Sequence, residues 1–223
     1  MSSSAVVLVH GAWHGAACWD GVVTELQKLG VAVIAVDLPL AGLAADVAAA
    51  RSAIEAAGPG CVVVGHSYGG VVISHAAAGL PVVRLVYLAA FLIEPGEDML
   101  AMLAGSKLVE SLVVGEAGIS VDPAAAPAIF YGDADADTAA TMVAGLRPMA
   151  FDASEPPATE PAWRSIPATY VICGNDQALP VEAQRTMAAR AQAVHEWPTD
   201  HSPFVTRPRA VAELVAEYVV KSV

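Results

Sequence analysis

Residues 61–79 read CVVVGHSYGGVVISHAAAG, an apolar strand-like run that leads into a helical run across a short turn. Within the turn, Gly65 and Gly69 lie two positions on either side of Ser67. A nucleophile on so sharp a strand-to-helix turn needs small residues at those two positions, because larger side chains would collide. The turn also places the hydroxyl at a helix N-terminus, where the dipole favours developing negative charge. A lone GxSxG pattern occurs by chance, but this strand and helix context predicts that Ser67 is a nucleophile.

A serine nucleophile needs a base, and the base needs a carboxylate that orients it. In this kind of architecture the acid precedes the base along the chain, and both follow late strands. Asp176 comes shortly after the apolar run 168–173, and His201 comes shortly after the run 193–197. We therefore predict Asp176 as the acid and His201 as the base. Glu94 remains open as an alternative acid, since some proteins of this architecture place the carboxylate there.

Other titratable residues fit these roles less well. His195 lies within a predicted strand, and His75 lies in the helix after the serine. His66 is inside the turn, where we expect it to pack beside the serine rather than to serve it. Asp200 is adjacent to His201 and too close in sequence to orient its ring easily.

The loop that follows the first apolar run predicts an oxyanion hole. It reads HGAWHG over residues 10–15. One donor in such a site is the backbone N–H of the residue after the nucleophile, and the other comes from this first loop. We predict Tyr68 and Ala12 as these two donors. His10 is expected to be a structural hydrogen-bonding residue.

Outward from these loops, short apolar runs alternate with helical stretches along the whole chain. Strands are predicted over 5–9, 31–36, 61–64, 82–88, 168–173 and 193–197, and helices over 21–29, 43–57, 69–79, 181–191 and 208–220. Continuous apolar runs are typical of strands that are buried on both faces of a parallel sheet. The pattern predicts one α/β domain over residues 1–223, doubly wound, with about six mostly parallel strands.

One segment departs from this alternation of strands and helices. Residues 95–166 contain no strong strand pattern, and about 70 residues are too many for a loop between two sheet strands. We predict that this cap segment is an inserted, helical cap over the site. The substrate-binding candidates are Trp13 in the first loop and Phe130, Tyr131 and Trp163 in the cap segment. Further apolar residues of the cap segment are Met99, Met102, Leu103, Leu146 and Phe151, of which two or three should face the serine.

Composition excludes several classes of function. The chain has 11 basic and 23 acidic residues, a net charge of -12, which disfavours nucleic acid and anionic membranes as partners. The apolar run 85–93 is too short to span a membrane, and the N-terminus lacks the basic region of a secretory signal. Three cysteines without a CxxC pattern indicate free thiols, so we expect a cytoplasmic protein.

No metal or cofactor is predicted. Asp133, Asp135 and Asp137 resemble the start of a calcium loop, but the sixth and twelfth positions are Thr138 and Ala144. A calcium loop requires glycine and a carboxylate there. Nucleotide-binding glycine patterns are also absent from the sequence.

Several longer motifs together carry a family resemblance. They are VLVHGAWHGAACW at 7–19, GHSYGG at 65–70, YLAAF at 87–91, YVICGNDQALP at 170–180 and QRTM at 184–187. With them the chain resembles the α/β-hydrolase superfamily over nearly its whole length. Within it, the chain is similar to the small plant-type methyl esterases and hydroxynitrile lyases and their bacterial esterase relatives. The resemblance implies an α/β-hydrolase fold with Ser67, His201 and Asp176 as a catalytic triad.

Two departures argue against the lyase reaction. The lyases of that branch carry a lysine directly after the catalytic histidine, where it stabilises leaving cyanide, and a threonine in the first oxyanion loop. Here these positions are Ser202 and Gly11. The chain therefore lacks the cationic group that expulsion of cyanide needs.

Together these features predict an esterase without a cofactor. It would cleave a small, largely apolar carboxylic ester through an acyl-enzyme, as a monomer or homodimer. A hydroxynitrile lyase, an acyltransferase or a perhydrolase on the same triad remains an alternative. A non-catalytic small-molecule receptor is a second alternative, which an assay for ester hydrolysis separates from the first group.

Overall fold

The computed structural model describes residues 5–150 and 160–220 of the chain. The strands of this part are β1 (Val6–Val9), β2 (Val33–Val36), β3 (Val62–His66), β4 (Arg84–Leu88), β5 (Leu112–Gly115), β6 (Gly118–Val121), β7 (Ala168–Cys173) and β8 (Ala193–Trp197). Six of them form one sheet in the order β2-β1-β3-β4-β7-β8, and every neighbouring pair in it is parallel. The six predicted strands are therefore confirmed to within two residues at their ends.

Helices connect the strands of this sheet. They are α1 (Asp20–Lys28), α2 (Leu43–Ala57), α3 (Gly69–Ala76), α4 (Met99–Met102), α5 (Lys107–Glu110), α6 (Ala126–Phe130), α7 (Ala136–Ala144), α8 (Val181–Ala188), α9 (Pro203–Thr206) and α10 (Pro208–Val220). Short 3₁₀ turns lie at Ala16–Trp19 and Ala162–Arg164. The five predicted core helices correspond to α1, α2, α3, α8 and α10.

The sheet is covered on both faces. Alternate residues of a strand point to opposite faces, so Val7 and Val9 enter one core cluster, while Val6 and Leu8 enter the other. Helices α2, α3 and α8 contribute to the first cluster, and α1 and α10 to the second. This is the doubly wound arrangement predicted from the sequence. Edge strand β8 differs, because its residues alternate between half-buried and exposed instead of being buried on both faces.

The cap segment contains more than helices. Besides α4, α5, α6 and α7 it holds an antiparallel hairpin, β5–β6, that pairs Leu112 with Val121 and Gly115 with Gly118. The expectation of a wholly helical cap was therefore incomplete. Each strand of the hairpin has only four residues, too few to give a clear periodicity in the sequence. Residues 151–159, including the pocket candidate Phe151, lie outside the described residues.

Three further observations bear on the predicted class of protein. Cys18, Cys61 and Cys173 are buried free thiols. None of the helices in the described ranges has the length and apolar character needed to cross a bilayer. Over the same ranges, no three His, Cys, Asp or Glu side chains gather as metal ligands would.

Candidate active site

Ser67 lies on a tight turn between β3 and α3. Its φ of 51° places it in the left-handed region, a conformation that costs a non-glycine residue about 1–3 kcal/mol. A Cβ atom on Gly65 would lie 2.6 Å from the carbonyl oxygen of Gly69, and one on Gly69 would lie 2.7 Å from that of His10. Both positions therefore require glycine, for the steric reason expected from the GxSxG pattern.

Neighbouring backbone groups hold the strained turn in place. The Ser67 N–H donates to the carbonyl of Leu88 over 3.3 Å, and the Ser67 carbonyl accepts from the N–H of Phe91 over 3.1 Å. The turn that carries Ser67 is thus hydrogen-bonded to the C-terminal end of β4 and the residues after it. This fixes the serine above the sheet edge where the parallel strands end.

The predicted acid and base are brought together by the loops after β7 and β8. The Nδ1 of His201 lies 2.7 Å from Oδ2 of Asp176, and both side chains are buried. Since a carboxylate only accepts, Nδ1 carries the proton in this pair, which leaves Nε2 free to act as the base. The geometry is that of a histidine oriented by a carboxylate.

Asp176 is surrounded by donors. Its Oδ1 accepts from the backbone N–H groups of Ala178 and Leu179, at 2.7 and 2.9 Å. Its Oδ2 also accepts from Nε2 of Gln184 at 2.8 Å. Gln184 is fully buried on α8, and its Oε1 in turn accepts from the N–H of Cys173. Gln184 was not predicted from the sequence, because its only signal there is a polar residue on a helix face that packs against β7.

The alternative acid, Glu94, is placed elsewhere. Its carboxylate pairs with the guanidinium of Arg164 at 2.5 Å, and about a third of its side chain is exposed. No hydrogen bond joins Glu94 to His201 within the described ranges. The geometry therefore favours Asp176 as the partner of the histidine.

The rival histidines have other roles. His66 is fully buried, and its Nε2–H donates to the backbone carbonyl of His201 at 3.0 Å. Burial lowers the pKa of His66 well below its usual value, so the ring is neutral. It lies beside the serine, as expected, and supports the loop that carries His201. His195 is half-buried on edge strand β8.

His10 fixes the peptide plane of the predicted oxyanion donor. Its Nδ1–H donates to the carbonyl of Gly11 over 2.8 Å, and its Nε2 accepts from the N–H of Leu38 over 2.9 Å. Burial lowers the pKa of His10, which keeps Nε2 unprotonated and able to accept. Because C=O and N–H point in opposite directions across a trans peptide, holding the Gly11 carbonyl directs the Ala12 N–H away from His10.

A cavity joins these groups. Ala12, Ser67, Tyr68 and His201 line it together, and its volume is about 110 Å³. A concave, mostly apolar wall with a few convergent polar groups is typical of a small-molecule site. Its remaining lining residues are Trp13, Phe91, Met99, Leu100, Leu103, Leu108, Leu112, Ile119, Met149, Ala178 and Leu179. Among the described residues, no Asp, Glu, Lys or Arg lines the cavity, so its wall is apolar.

Of the four substrate-binding candidates, only Trp13 lines the cavity. Its φ is 63°, and its indole N–H donates to the carbonyl of Ile119 over 2.9 Å. Phe130, Tyr131 and Trp163 are buried but are not lining residues, and this part of the prediction is corrected. The hydroxyl of Tyr131 binds His14, the indole of Trp163 donates to the carbonyl of Ile93, and the ring of Phe130 packs in the core.

Aliphatic residues take the place of these aromatics. Of the apolar residues expected to face the serine from the cap segment, Met99 and Leu103 line the cavity, whereas Met102 and Leu146 do not. Leu112 and Ile119 come from the hairpin that was not predicted. The sequence does not show which residues line the cavity. The face that a short helix or strand turns toward the cavity depends on how the cap segment folds.

Comparisons with known proteins agree with this architecture. The family model for the alpha/beta hydrolase family matches residues 6–214. The alpha/beta hydrolase nvfD of the fungus Aspergillus novofumigatus is 30% identical over 240 aligned positions, covering 96% of each chain. A pyrethroid hydrolase from Sphingobium faniae JZ-2 superposes with a TM-score of 0.79 at 24% identity, covering 97% of each chain. A methylesterase from Arabidopsis superposes with a TM-score of 0.79 at 22% identity, covering 98% of this chain and 99% of that one.

The two solved structures share less than a quarter of their residues with this chain, so they establish the common fold. The family model and the fungal relative also establish the family, because they match the sequence over nearly its whole length. The chain therefore belongs to the alpha/beta hydrolase family.

Proposed function

We propose that this protein hydrolyses small, uncharged and largely apolar carboxylic esters with Ser67 as the nucleophile. One observation carries the proposal: Ser67 and His201 line the same apolar cavity, and Asp176 is hydrogen-bonded to Nδ1 of His201. The names of the solved relatives, a pyrethroid hydrolase and a methylesterase, describe hydrolytic enzymes and agree with this proposal.

The first half of the reaction acylates the serine. His201 Nε2 removes the hydroxyl proton as Ser67 Oγ forms a bond to the ester carbonyl carbon. The carbonyl oxygen becomes an oxyanion, which the backbone N–H groups of Ala12 and Tyr68 stabilise. When the intermediate collapses, the bond to the alcohol oxygen breaks, and protonated His201 returns the proton to the leaving alcohol.

The second half releases the acid. Water takes the place of the alcohol, His201 Nε2 accepts one of its protons, and the oxygen attacks the acyl carbon. Collapse of this second intermediate breaks the bond to Ser67 Oγ, which recovers its proton from His201. Asp176 keeps the ring in its Nδ1–H tautomer and offsets the positive charge that the ring acquires in both halves.

The cavity wall predicts a discrimination by charge. Because no charged side chain of the described residues lines it, a substrate carboxylate would lose its hydration without gaining a partner. We expect mono-4-nitrophenyl succinate to be cleaved with a kcat/KM at least about 10²-fold below that of 4-nitrophenyl butyrate. Methyl 4-nitrophenyl succinate, a mixed diester of similar size but without charge, serves as the control. Equal cleavage of the charged and neutral succinates would contradict an uncharged substrate class.

Hydrolysis is favoured over cyanohydrin cleavage. Ser202 is fully buried and takes the position of the lyase lysine, so no cation follows His201 directly. A Cβ atom on Gly11 would lie 2.9 Å from Nδ1 of His66 and 3.0 Å from Cβ of Ser67. The threonine of the lyases therefore does not fit at this position without moving a ring or the nucleophile. Turnover of mandelonitrile at a rate comparable to ester hydrolysis would overturn this choice.

The same close approach makes Gly11 a sensitive position. We expect Gly11→Ala to lower kcat about 10²-fold, because the added methyl group displaces the oxyanion loop or the serine by part of an ångström. Gly115→Ala is the matched control, since its Cβ would meet its nearest neighbour at 3.9 Å, an ordinary contact. Steady-state kinetics of both variants provide the measurement. Unchanged kcat in Gly11→Ala would show that the loop does not need this close approach.

The wider organisation of the protein is also a proposal. We propose one domain over residues 1–223, with residues 95–166 as a cap that supplies most of the apolar wall. The proposed substrate is a small molecule, and neither cofactor nor metal takes part in the steps above. The cytoplasmic location and the choice between monomer and homodimer remain predictions from the sequence.

A further inference from the structure

A three-residue turn of the cap segment contacts both loops of the proposed catalytic machinery. Tyr131, Gly132 and Asp133 follow α6 directly, and the N–H of Ala134 closes the turn on the carbonyl of Tyr131. None of the three lines the cavity. We infer that this 131–133 turn is a positioning element. It fixes the oxyanion loop (residues 10–15) relative to the histidine loop (residues 199–202). The inference rests on the proposed function.

The first connection runs from the turn to the oxyanion loop. The hydroxyl of Tyr131 lies 2.8 Å from Nε2 of His14, and Nδ1 of His14 lies 2.8 Å from the carbonyl oxygen of Ala12. A carbonyl only accepts, so Nδ1 carries the ring proton, and Nε2 accepts from the tyrosine. Burial lowers the pKa of His14 to about 3, so the ring stays in this neutral form.

This connection complements the one made by His10. His10 holds the peptide plane before Ala12, and His14 holds the plane after it. The orientation of the Ala12 N–H is thereby fixed from both sides, and the second support depends on Tyr131. The His14 side chain is buried, neutral and outside the cavity lining.

The second connection runs from the turn to the histidine loop. The N–H of Asp200 donates to Oδ2 of Asp133, and the N–H of Asp133 donates to Oδ2 of Asp200, each over 2.9 Å. The remaining oxygen of Asp200 accepts from the N–H of Ser202 over 3.0 Å. His201 lies between these two anchored residues. The reciprocal pair therefore fixes the backbone on both sides of the proposed base.

The expected effects are moderate, since each loop has other supports. The backbone N–H of Arg147 donates to the carbonyl of Trp13, and its guanidinium donates to the carbonyl of His14. The ring of His201 keeps its bond to Asp176. Loss of one connection should shift a catalytic group by less than an ångström. We therefore expect Tyr131→Phe and Asp133→Ala each to lower kcat about 10-fold and to leave KM within about 2-fold.

Asp135→Ala is the matched control. Asp135 lies two residues further on and caps α7 through the N–H of Thr138, a contact within the cap segment. Its loss should lower Tm by about 2–4 °C while kcat stays unchanged. Asp133→Asn is the conservative variant, because its amide oxygen can still accept from the N–H of Asp200, and it should restore most of kcat.

The experiment combines kinetics on 4-nitrophenyl butyrate with amide hydrogen exchange of the intact protein. We expect faster exchange in residues 10–15 for Tyr131→Phe and in residues 199–202 for Asp133→Ala, and in neither segment for Asp135→Ala. Wild-type kcat and exchange in the first two variants would overturn the inference. So would a loss of Tm shared equally by Asp133→Ala and Asp135→Ala without any change in kcat. If the wild type cleaves no ester, the proposed function fails, and the exchange data still decide whether the turn holds the loops.

Discussion

Ser67→Ala is expected to lower kcat for 4-nitrophenyl butyrate by about 10⁶-fold, to the background left by binding and the oxyanion hole. The serine oxygen is the only atom that forms the acyl bond in the proposed reaction. The other hydroxyl among the described lining residues, that of Tyr68, donates to Asp46. The substitution removes one oxygen atom and leaves the backbone of the turn unchanged. Steady-state kinetics and a thermal melt of the variant provide the measurement.

Ser52→Ala is the control for this experiment. Ser52 is exposed on α2, and its hydroxyl donates only to the carbonyl of Ala48 in the same helix. Its replacement should leave kcat within about 2-fold of the wild type, as surface substitutions away from special features usually do. Substantial hydrolysis by a folded Ser67→Ala variant would mean that another group attacks the ester.

Asp176→Asn is expected to lower kcat by about 10³–10⁴-fold. An amide at this position can present its NH₂ group to Nδ1 of His201, which moves the ring proton to Nε2. The nitrogen that should accept the serine proton is then blocked. The backbone donors at Ala178 and Leu179 can still bind the remaining oxygen, so the loop should keep its fold.

Glu94→Gln separates this prediction from a general effect of losing a carboxylate. Glu94 was the alternative acid, and in the structure it pairs with Arg164 at the surface. An exposed pair of this kind contributes little to stability, and kcat should stay close to that of the wild type. If instead Glu94→Gln is the inactive variant and Asp176→Asn is active, the acid has been assigned wrongly.

The sheet could be predicted from the sequence because its signals are local. Five of the six strands are short, mainly apolar runs, and helices of ordinary length separate most of the strands. The two-sided core follows from general rules for parallel sheets, whereas the order of the strands was not predicted and comes from the folded chain. The hairpin β5–β6 was missed because its strands have four residues each and lie within a segment rich in glycine and alanine.

The residues of the site divide in the same way: some have a local signal in the sequence, and others are placed only by long-range contacts. Ser67 and Ala12 lie in sequence motifs that local steric constraints explain. Asp176 and His201 lie in loops that follow recognisable strands. Contacts across the fold gave no such signal. The bond from Tyr131 to His14 joins residues 117 positions apart, and the sequence does not indicate which cap residue reaches that ring. For this reason Tyr131 was assigned to the cavity wall, although its hydroxyl faces His14.

Gln184 is a second case of a missed residue. It lies eight positions after Asp176 and reaches the carboxylate only because α8 folds back against β7. A single polar residue on an amphipathic helix is ordinarily solvated, so the sequence gave no reason to select it. Its burial and its three hydrogen bonds, to Cys173, Asp176 and Leu179, are visible only in the folded chain.

Labelling with a fluorophosphonate followed by peptide mass spectrometry tests the central claim most directly. The reagent forms a covalent bond with a serine that a neighbouring base activates, and it requires no knowledge of the natural substrate. We predict one modified serine per chain, located at Ser67, with loss of esterase activity in proportion to labelling and slower labelling in Asp176→Asn. Hydrolysis that persists in a fully labelled protein, or a label on another residue while Ser67 stays unmodified, would contradict the account.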